Sequence, residues 1–241
     1  ALTKNQKKPS SKKIKKKYNL TKIINLLKPI KKLRVLVVGE IVIDEYNFGD
    51  IIGKSGKEPH LVLKESFKES YAGGSAAVAR HISSFVKSAK VISFFGNEKK
   101  NIEILKQQSD VKIKYDLFKP YSKFDTIVKK RFIDLKSNYK LFGSYILPNL
   151  HKTLFNNQLL QKIKKNFSKF DLIIVCDYGH GLLSNETIKH LNKIKKFLSL
   201  NIQLNSSNIG THTLNKYNNV DILVINESEL RFELKNEYEN I

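Results

Sequence analysis

Sulfur, tryptophan and acid are the scarce components of this sequence. Its 241 residues include no Met, no Trp and a single Cys, Cys176. A lone Cys excludes an intramolecular disulfide framework and suits a reducing cytosol, so the chain is expected to be cytoplasmic. No apolar run approaches the roughly 20 residues that a membrane-spanning helix needs. The basic N-terminus also lacks the apolar stretch of a secretory signal peptide, and no membrane partner is expected. Without a Met, a chain that opens Ala1-Leu2-Thr3 reads as an internal piece of a longer protein.

Acid is scarcest at the start. Residues 1–34 hold thirteen Lys and Arg and no Asp or Glu, more than half of the formal excess of +22. The remaining excess is Lys spread through otherwise ordinary segments. Such charge resembles the electrostatic footprint of a nucleic-acid binder. No nucleic-acid-binding motif accompanies it, so no specific nucleic acid is expected as a partner. With 41% hydrophobic residues, the chain has material for one α/β domain with a full core.

Residues 1–33 read as a basic, solvated linker with one short amphipathic segment, Leu20 to Leu27, stopped near Pro29. Folded structure is expected from Arg34. Arg34-Val-Leu-Val-Val-Gly39 is an apolar, β-branched run ending in Gly, the pattern of a buried parallel strand. Glu58 to Glu65 alternates like a half-exposed strand, Gly73-Gly74 opens a small-residue helix from Ser75 to Val86, and Lys90 to Phe95 is another buried strand. Two alternating segments fall between Asp125 and Tyr145. A regular β/α rhythm follows: strand 171–176, helix 184–197, strand 198–204, a short helical stretch near Leu214, strand 221–225 and helix 227–234. That rhythm implies right-handed βαβ units and a mainly parallel sheet flanked by helices. The alternating strands within 47–65 and 125–145 should form a smaller β sheet, a lid, apart from the main one. No internal repeat is present.

Ligands of open α/β sheets bind beyond the carboxyl ends of the strands. Those ends deliver Glu40 and Asp44, Asp177-Tyr-Gly-His-Gly181, Asn205-Ser-Ser-Asn208 and Asn226-Glu-Ser-Glu229. Short carboxylates and amides suit a polyhydroxylated ligand or a hydrated metal, yet the same residues are ordinary turn and N-cap formers. Asp44 could accept from two neighbouring sugar hydroxyls or cap a turn. Gly73-Gly74 lets backbone approach a ligand at a helix N-terminus, or makes a plain tight turn. Lys129 and Arg131 share one face of their strand and Lys130 takes the other; an Arg fork suits a phosphate, while a solvated basic face is the simpler account. Asn226-x-x-Glu229 fits Mg²⁺, which keeps most of its waters, and equally fits capping. Cys176 sits in an apolar strand as a small core residue. The six His have no metal-ligand spacing.

Taken in order, these segments resemble the ribokinase-like (PfkB) carbohydrate kinases. The resemblance rests on Val38-Gly39-Glu40-Ile41-Val42-Ile43-Asp44-Glu45-Tyr46, on Glu58-Pro59, and on Gly73-Gly74-Ser75-Ala76-Ala77-Val78-Ala79-Arg80. It continues through Lys129-Lys130-Arg131-Phe132, Cys176-Asp177-Tyr178-Gly179-His180-Gly181-Leu182-Leu183 and Asn226-Glu227-Ser228-Glu229, covering about 34 to 235. The similar branch is the heptose-phosphate kinase domain of bifunctional ADP-heptose synthesis proteins. The resemblance implies a ribokinase-like fold and ATP-dependent phosphorylation of a sugar phosphate such as D-glycero-D-manno-heptose 7-phosphate. It implies Asp44, Gly73, Gly74, Arg131 and Asp177 as substrate contacts, Asn226 and Glu229 near Mg²⁺, and a homodimer through the lid. The family's Gly-Ala-Gly-Asp segment, with the anion hole and the catalytic Asp, would follow residue 241. Residues 34–241 therefore read as a C-terminally truncated kinase domain that lacks its ATP-binding part and is expected to be inactive alone. Leu20 to Asn25 resembles the tail of an upstream nucleotidyltransferase.

Several residues depart from the pattern. Glu40 stands where Asp is usual, Ala77 replaces an Asn that hydrogen-bonds the sugar, His180 replaces Lys, and Asn205-Ser-Ser-Asn208 replaces Asp-Pro-Lys. Ala77 and the altered 205–208 turn support a second reading, a non-catalytic sugar-phosphate binding or regulatory module attached to a nucleotidyltransferase.

Overall fold

A computed structural model describes residues 19–149, 157–204, 208 and 212–236. The sequence expectation of a continuous apolar strand is met at β1 (Arg34–Gly39), whose residues after Arg34 are all buried. Such a strand needs cover on both faces, and it sits inside a six-stranded sheet. With β4 (Ser88–Phe94), β5 (Ile113–Phe118), β8 (Leu172–Asp177), β9 (Phe197–Ile202) and β10 (Ile222–Val224), the order is β10-β9-β8-β1-β4-β5. Every pairing in it is parallel.

The period-2 alternation of β1 divides the core into two layers. Leu36 and Val38 join Ile92, Ile173 and Val175 under α4 (Gln158–Asn166) and α5 (Asn185–Leu191). Val35 and Val37 face the opposite layer with Ala76 and Ala79 of α2 (Ser75–Ser83) and Leu105 of α3 (Lys99–Gln107). At the start of β1, Arg34 is clamped by Asp171, which accepts from its backbone N–H at 2.8 Å and its guanidinium at 3.1 Å.

The alternating segments form a separate, four-stranded mixed sheet. β2 (Ile41–Lys54) and β3 (Leu61–Gly74) are antiparallel, β6 (Ile127–Asp134) runs parallel to β2, and β7 (Lys140–Ile146) closes the other edge. This sheet reaches further than the 47–65 and 125–145 windows, because β2 begins two residues after Gly39 and β3 runs on to Gly74. Cross-strand pairing produces that length, and local alternation in the sequence does not reveal it. Stacked pairs Phe48–Phe67 and Phe132–Phe142, with ring centroids 4.8 and 4.4 Å apart, tie neighbouring strands. The Gln108 side chain acts as a partial neighbour for the β3 edge, accepting from Ala72 N and donating to Ser70 O, both at 2.8 Å.

Other boundaries moved for local reasons. The helix expected over 184–197 is α5, ending at Leu191, because the 216–219 segment binds its end: Asn192 donates to Lys216 O at 2.9 Å and Asn219 donates to Asn192 O at 3.3 Å. The helical stretch near Leu214 is a turn, and the helix from Ser75 stops at Ser83. Helices α3 and α4 and strand β5 were not assigned from sequence. The i, i+4 pair Leu159 and Ile163, buried amid Lys and Gln, was the available signal for α4. α1 (Leu20–Leu27) forms as expected on an Asn19 cap, with no residue buried. Among the described residues, no helix is long and apolar enough to cross a membrane.

Leu36→Ala should lower unfolding free energy by about 2–5 kcal/mol in urea titrations, since Leu36 is fully buried. Val111→Ala, at an exposed site, should change it by less than about 0.5 kcal/mol. Similar losses in both would show that β1 is not the centre of the core.

Candidate functional site

The two sheets meet at residues 39–44 and 72–75, and the candidate site is built there. β1 ends at Gly39, and two residues later Ile41 starts β2, its N–H bonded to the buried Ser93 hydroxyl at 3.0 Å. Glu40 lies in the bend. Its carbonyl accepts from Ser75 N at 2.9 Å, while the Ser75 hydroxyl donates to Gly39 O at 2.8 Å. The first residue of α2 is thus locked against the end of β1. Gly74 makes the approach possible: its φ is +61°, and a Cβ there would lie 2.3 Å from Glu40 O.

On β2, Asp44, Tyr46 and Phe48 share one face at period 2. They line an open pocket of about 460 Å³ together with Tyr71, Gly73 and Ala77. Asp44 pairs across the strands with Tyr71 and Lys129, and Tyr46 with Arg131. Arg131 donates to Asp44 Oδ1 at 2.6 Å and stacks 5.2 Å over the Tyr46 ring. Lys129 lies 5.7 Å over the Tyr145 ring, and burial lowers its pKa against the pull of Asp44. Gly73 admits the carboxylate, since a Cβ there would lie 2.2 Å from Asp44 Oδ2. Asp44, Gly73 and Arg131, separated by up to 87 positions, are therefore one cluster. Ala77, the expected departure, places a methyl in the same pocket.

Glu40 and Asp177 form a second, buried layer beneath it. The Glu40 carboxylate accepts from three backbone N–H groups: Tyr178 at 3.0 Å, His180 at 3.1 Å and Leu182 at 3.4 Å. Burial, reinforced by the charge of Asp177, pushes its pKa up to about 7. Asp177 faces inward. It accepts from the Tyr217 hydroxyl at 2.7 Å and Gly179 N at 3.2 Å, and pairs with Lys216 at 2.8 Å. It does not line the Asp44 pocket. His180 is buried with its Nε2 unpartnered among the described residues. Burial, then the charges of Lys129 and His212, lower its pKa to about 4, so it is neutral at physiological pH. Cys176 is buried in β8, and burial raises its thiol to about 12, which leaves it an unreactive core residue.

Asn226 and Glu229 form a capping box on α6 (Glu227–Leu234). Asn226 Oδ1 accepts from Glu229 N at 2.8 Å and Glu229 Oε2 from Asn226 N at 3.2 Å; Glu229 Oε1 accepts from Leu204 N at 3.1 Å. Each Glu229 oxygen keeps one lone pair. That donor set suits Mg²⁺ held through its own waters and not a direct protein cage. Among the described residues no three His, Cys, Asp or Glu side chains converge as a metal site. Residues 205–207 of the departing turn lie outside the described residues, while Asn208 is buried and donates to Tyr178 O at 3.0 Å.

A family model described as pfkB family carbohydrate kinase matches residues 32–241. The chain belongs to the pfkB family of carbohydrate kinases. Enzymes of this family use ATP and Mg²⁺. Among curated relatives, the bifunctional protein HldE of Campylobacter curvus is 23% identical over 199 residues, covering 83% of this chain and 41% of that protein. The bifunctional protein HldE of Blochmanniella floridana is 28% identical over 202 residues, 82% of this chain and 40% of its own length. The chain thus spans two fifths of these relatives. Among solved structures, phosphofructokinase-2 from Escherichia coli in complex with fructose-6-phosphate superposes with a TM-score of 0.59 at 14% identity, over 86% of this chain and 66% of that one. A ribokinase from Thermotoga maritima gives 0.54 at 16% identity, over 83% and 61%. These structures establish the ribokinase-like fold.

In this pfkB chain the sequence reading missed the anchoring by Glu40 and the partners Tyr217 and Lys216, which become neighbours only through the sheet order. It also missed Tyr46, for which the i, i+2 spacing from Asp44 was a usable signal. Because Glu40 has a higher pKa folded than unfolded, the folded state binds more protons between about pH 4.5 and 7. Stability should therefore fall as pH rises through that window. In denaturant titrations from pH 5 to 8, Glu40→Gln should flatten this slope; an unchanged slope would remove Glu40 as its source.

Proposed function

We propose that the intact protein phosphorylates a sugar phosphate with ATP and Mg²⁺ in the cytoplasm, and that D-glycero-D-manno-heptose 7-phosphate is the substrate. The observation that carries this reading is the Asp44–Arg131 pair beside Gly73, with Lys129 next in line on β6. A carboxylate with free lone pairs accepts from vicinal hydroxyls, while a guanidinium fork and an ammonium attract a phosphate. Ion pairing pre-orients both partners. The likeness to bifunctional HldE proteins and the quoted motifs support the heptose phosphate.

Within this reading, Asp44 binds and orients the sugar hydroxyls, Arg131 and Lys129 hold the phosphate end, and the mixed sheet excludes water. Asn226 and Glu229 stand near a hydrated Mg²⁺, which with ATP would supply the charge neutralisation on which phosphoryl transfer depends. No Gly-Ala-Gly-Asp segment occurs in residues 1–241, so no residue here is assigned as the catalytic base. A homodimer through the lid belongs to the same reading, supported by the exposed Phe67, Tyr71, Phe142 and Tyr145 on that sheet. The second reading, a sugar-phosphate binding module without transfer, is favoured by one observation: Ala77 offers the pocket a methyl where the family has an amide. Sugar-dependent ADP release by the intact protein separates the two readings.

Asp44→Ala should weaken binding of the heptose phosphate by about ten- to a hundred-fold in calorimetry, as hydrogen bonds to a charged group are each worth roughly 1.5–3 kcal/mol. Asp44→Asn keeps one acceptor and should lose only part of the affinity. Unaltered affinity together with a lowered melting temperature would reduce the pair to a structural ion pair and end the binding claim.

A further inference from the structure

The sheet edge opposite β10 carries a second cavity that the kinase reading does not use. It has a volume of about 470 Å³ and lies between β4, β5 and α4. Helix α4 turns Gln158, Gln161, Lys162 and Lys165 toward it, an i, i+3, i+4, i+7 face, while Lys90 and Asp116 rise from the strands. Asn166 closes the floor. None of these residues lines the Asp44 pocket.

Three ammonium groups surround one carboxylate here, and two of them pair with it. Asp116 pairs with Lys90 at 2.8 Å through one oxygen and with Lys162 through the other. Burial alone would raise the Asp116 pKa, but the hydrogen bonds from Lys162 and Lys90 outweigh it and hold the group below the usual carboxylate range. Asp116 is thus fully ionised near neutrality and spends its single charge on gathering two cations. Lys90 is fixed further by donating to Asn166 Oδ1 at 3.1 Å, and Asn166 in turn donates to Lys162 O at 2.7 Å. Lys165 forms no ion pair with a described residue, and the Gln161 side chain makes no hydrogen bond with one. The cavity therefore presents an uncompensated charge of about +2. Lys165 keeps all three of its N–H donors, Lys90 and Lys162 keep part of theirs, and the exposed Gln161 amide stands beside them. Lysines scattered on a solvated surface need no such carboxylate tether, and they do not enclose a cavity.

We propose that this cavity is a binding site for a small phosphorylated anion, held by Lys90, Lys162, Lys165 and Gln161, separate from the sugar cleft. The phosphate oxygens take the free donors, and Asp116 keeps Lys90 and Lys162 oriented before the ligand arrives. The space exceeds that of one phosphate, so a diphosphate engages all three ammoniums where a monophosphate reaches fewer.

The test is calorimetric titration of the full chain with inorganic phosphate and with pyrophosphate, at constant ionic strength. It is done in a Lys129→Ala/Arg131→Ala background, which removes both of these cations from the sugar cleft. Saturable binding at one equivalent is expected, with pyrophosphate the tighter ligand. Adding Gln161→Ala and Lys165→Ala, whose side chains support no described contact of the fold, should weaken it by about ten-fold or more. The basic residues 1–33 are intact in every variant, so general attraction to the chain cannot imitate that loss. Absence of saturable binding, or binding indifferent to the Gln161/Lys165 changes, overturns the proposal. Neither result touches the sugar cleft, whose own test reads Asp44.

Discussion

The Glu40 carboxylate holds together three parts of the chain that the fold has to bring to one point. Glu40 follows directly on β1, its carbonyl receives the first N–H of α2, and its two carboxylate oxygens gather the backbone of 178–182. A buried carboxylate without partners would be very costly, and this one is tolerated because the backbone amides converge on it. Glu reaches one methylene further than the Asp that is usual at this position. The three amides lie along a loop and not at a single point, and the longer side chain spans them.

From that anchor the cleft follows by short-range constraints. With α2 pinned to the end of β1, β3 must arrive through Gly73 and Gly74, and close passage of the backbone leaves room for the Asp44 carboxylate. β6 then lies beside β2 in parallel register, which puts Arg131 and Lys129 on the same face as Asp44. Each step uses hydrogen bonds that a strand makes in any case. The ligand-facing chemistry is carried by side chains that alternate off them. The buried layer of Asp177, Tyr217, Lys216 and His212 serves the other side of the same anchor. It secures the loop that Glu40 grips, since His212 and Asn208 bind the backbone carbonyls of Asp177 and Tyr178.

Charge is distributed on similar lines. The +22 of the sequence resembles a single uniform property, yet its structural uses differ. Lys216 neutralises a buried Asp, Lys129 sits desolvated beside the cleft, and Lys90 and Lys162 share Asp116 at the far sheet edge. Composition cannot separate these uses, because each depends on which carboxylate the fold delivers to a given ammonium.

What the sequence determined by itself was whatever depends on neighbours along the chain. The apolar run 34–39, the β/α rhythm after residue 171, the capping pair Asn226 and Glu229, and the shared face of Lys129 and Arg131 were all legible, because strand burial, caps and period-2 alternation are local. The motifs around Asp44, Gly73 and Asp177 were legible as well, and they pointed to the family. Tertiary structure decided which of those residues meet. It joined Asp44 to Arg131, turned Asp177 inward to Tyr217, made Glu40 an anchor, and extended β2 and β3 well past their alternating segments. The reason is physical: a buried carboxylate is satisfied only by donors that the sheet order and register bring to it, and those donors lie up to 142 positions away along the chain.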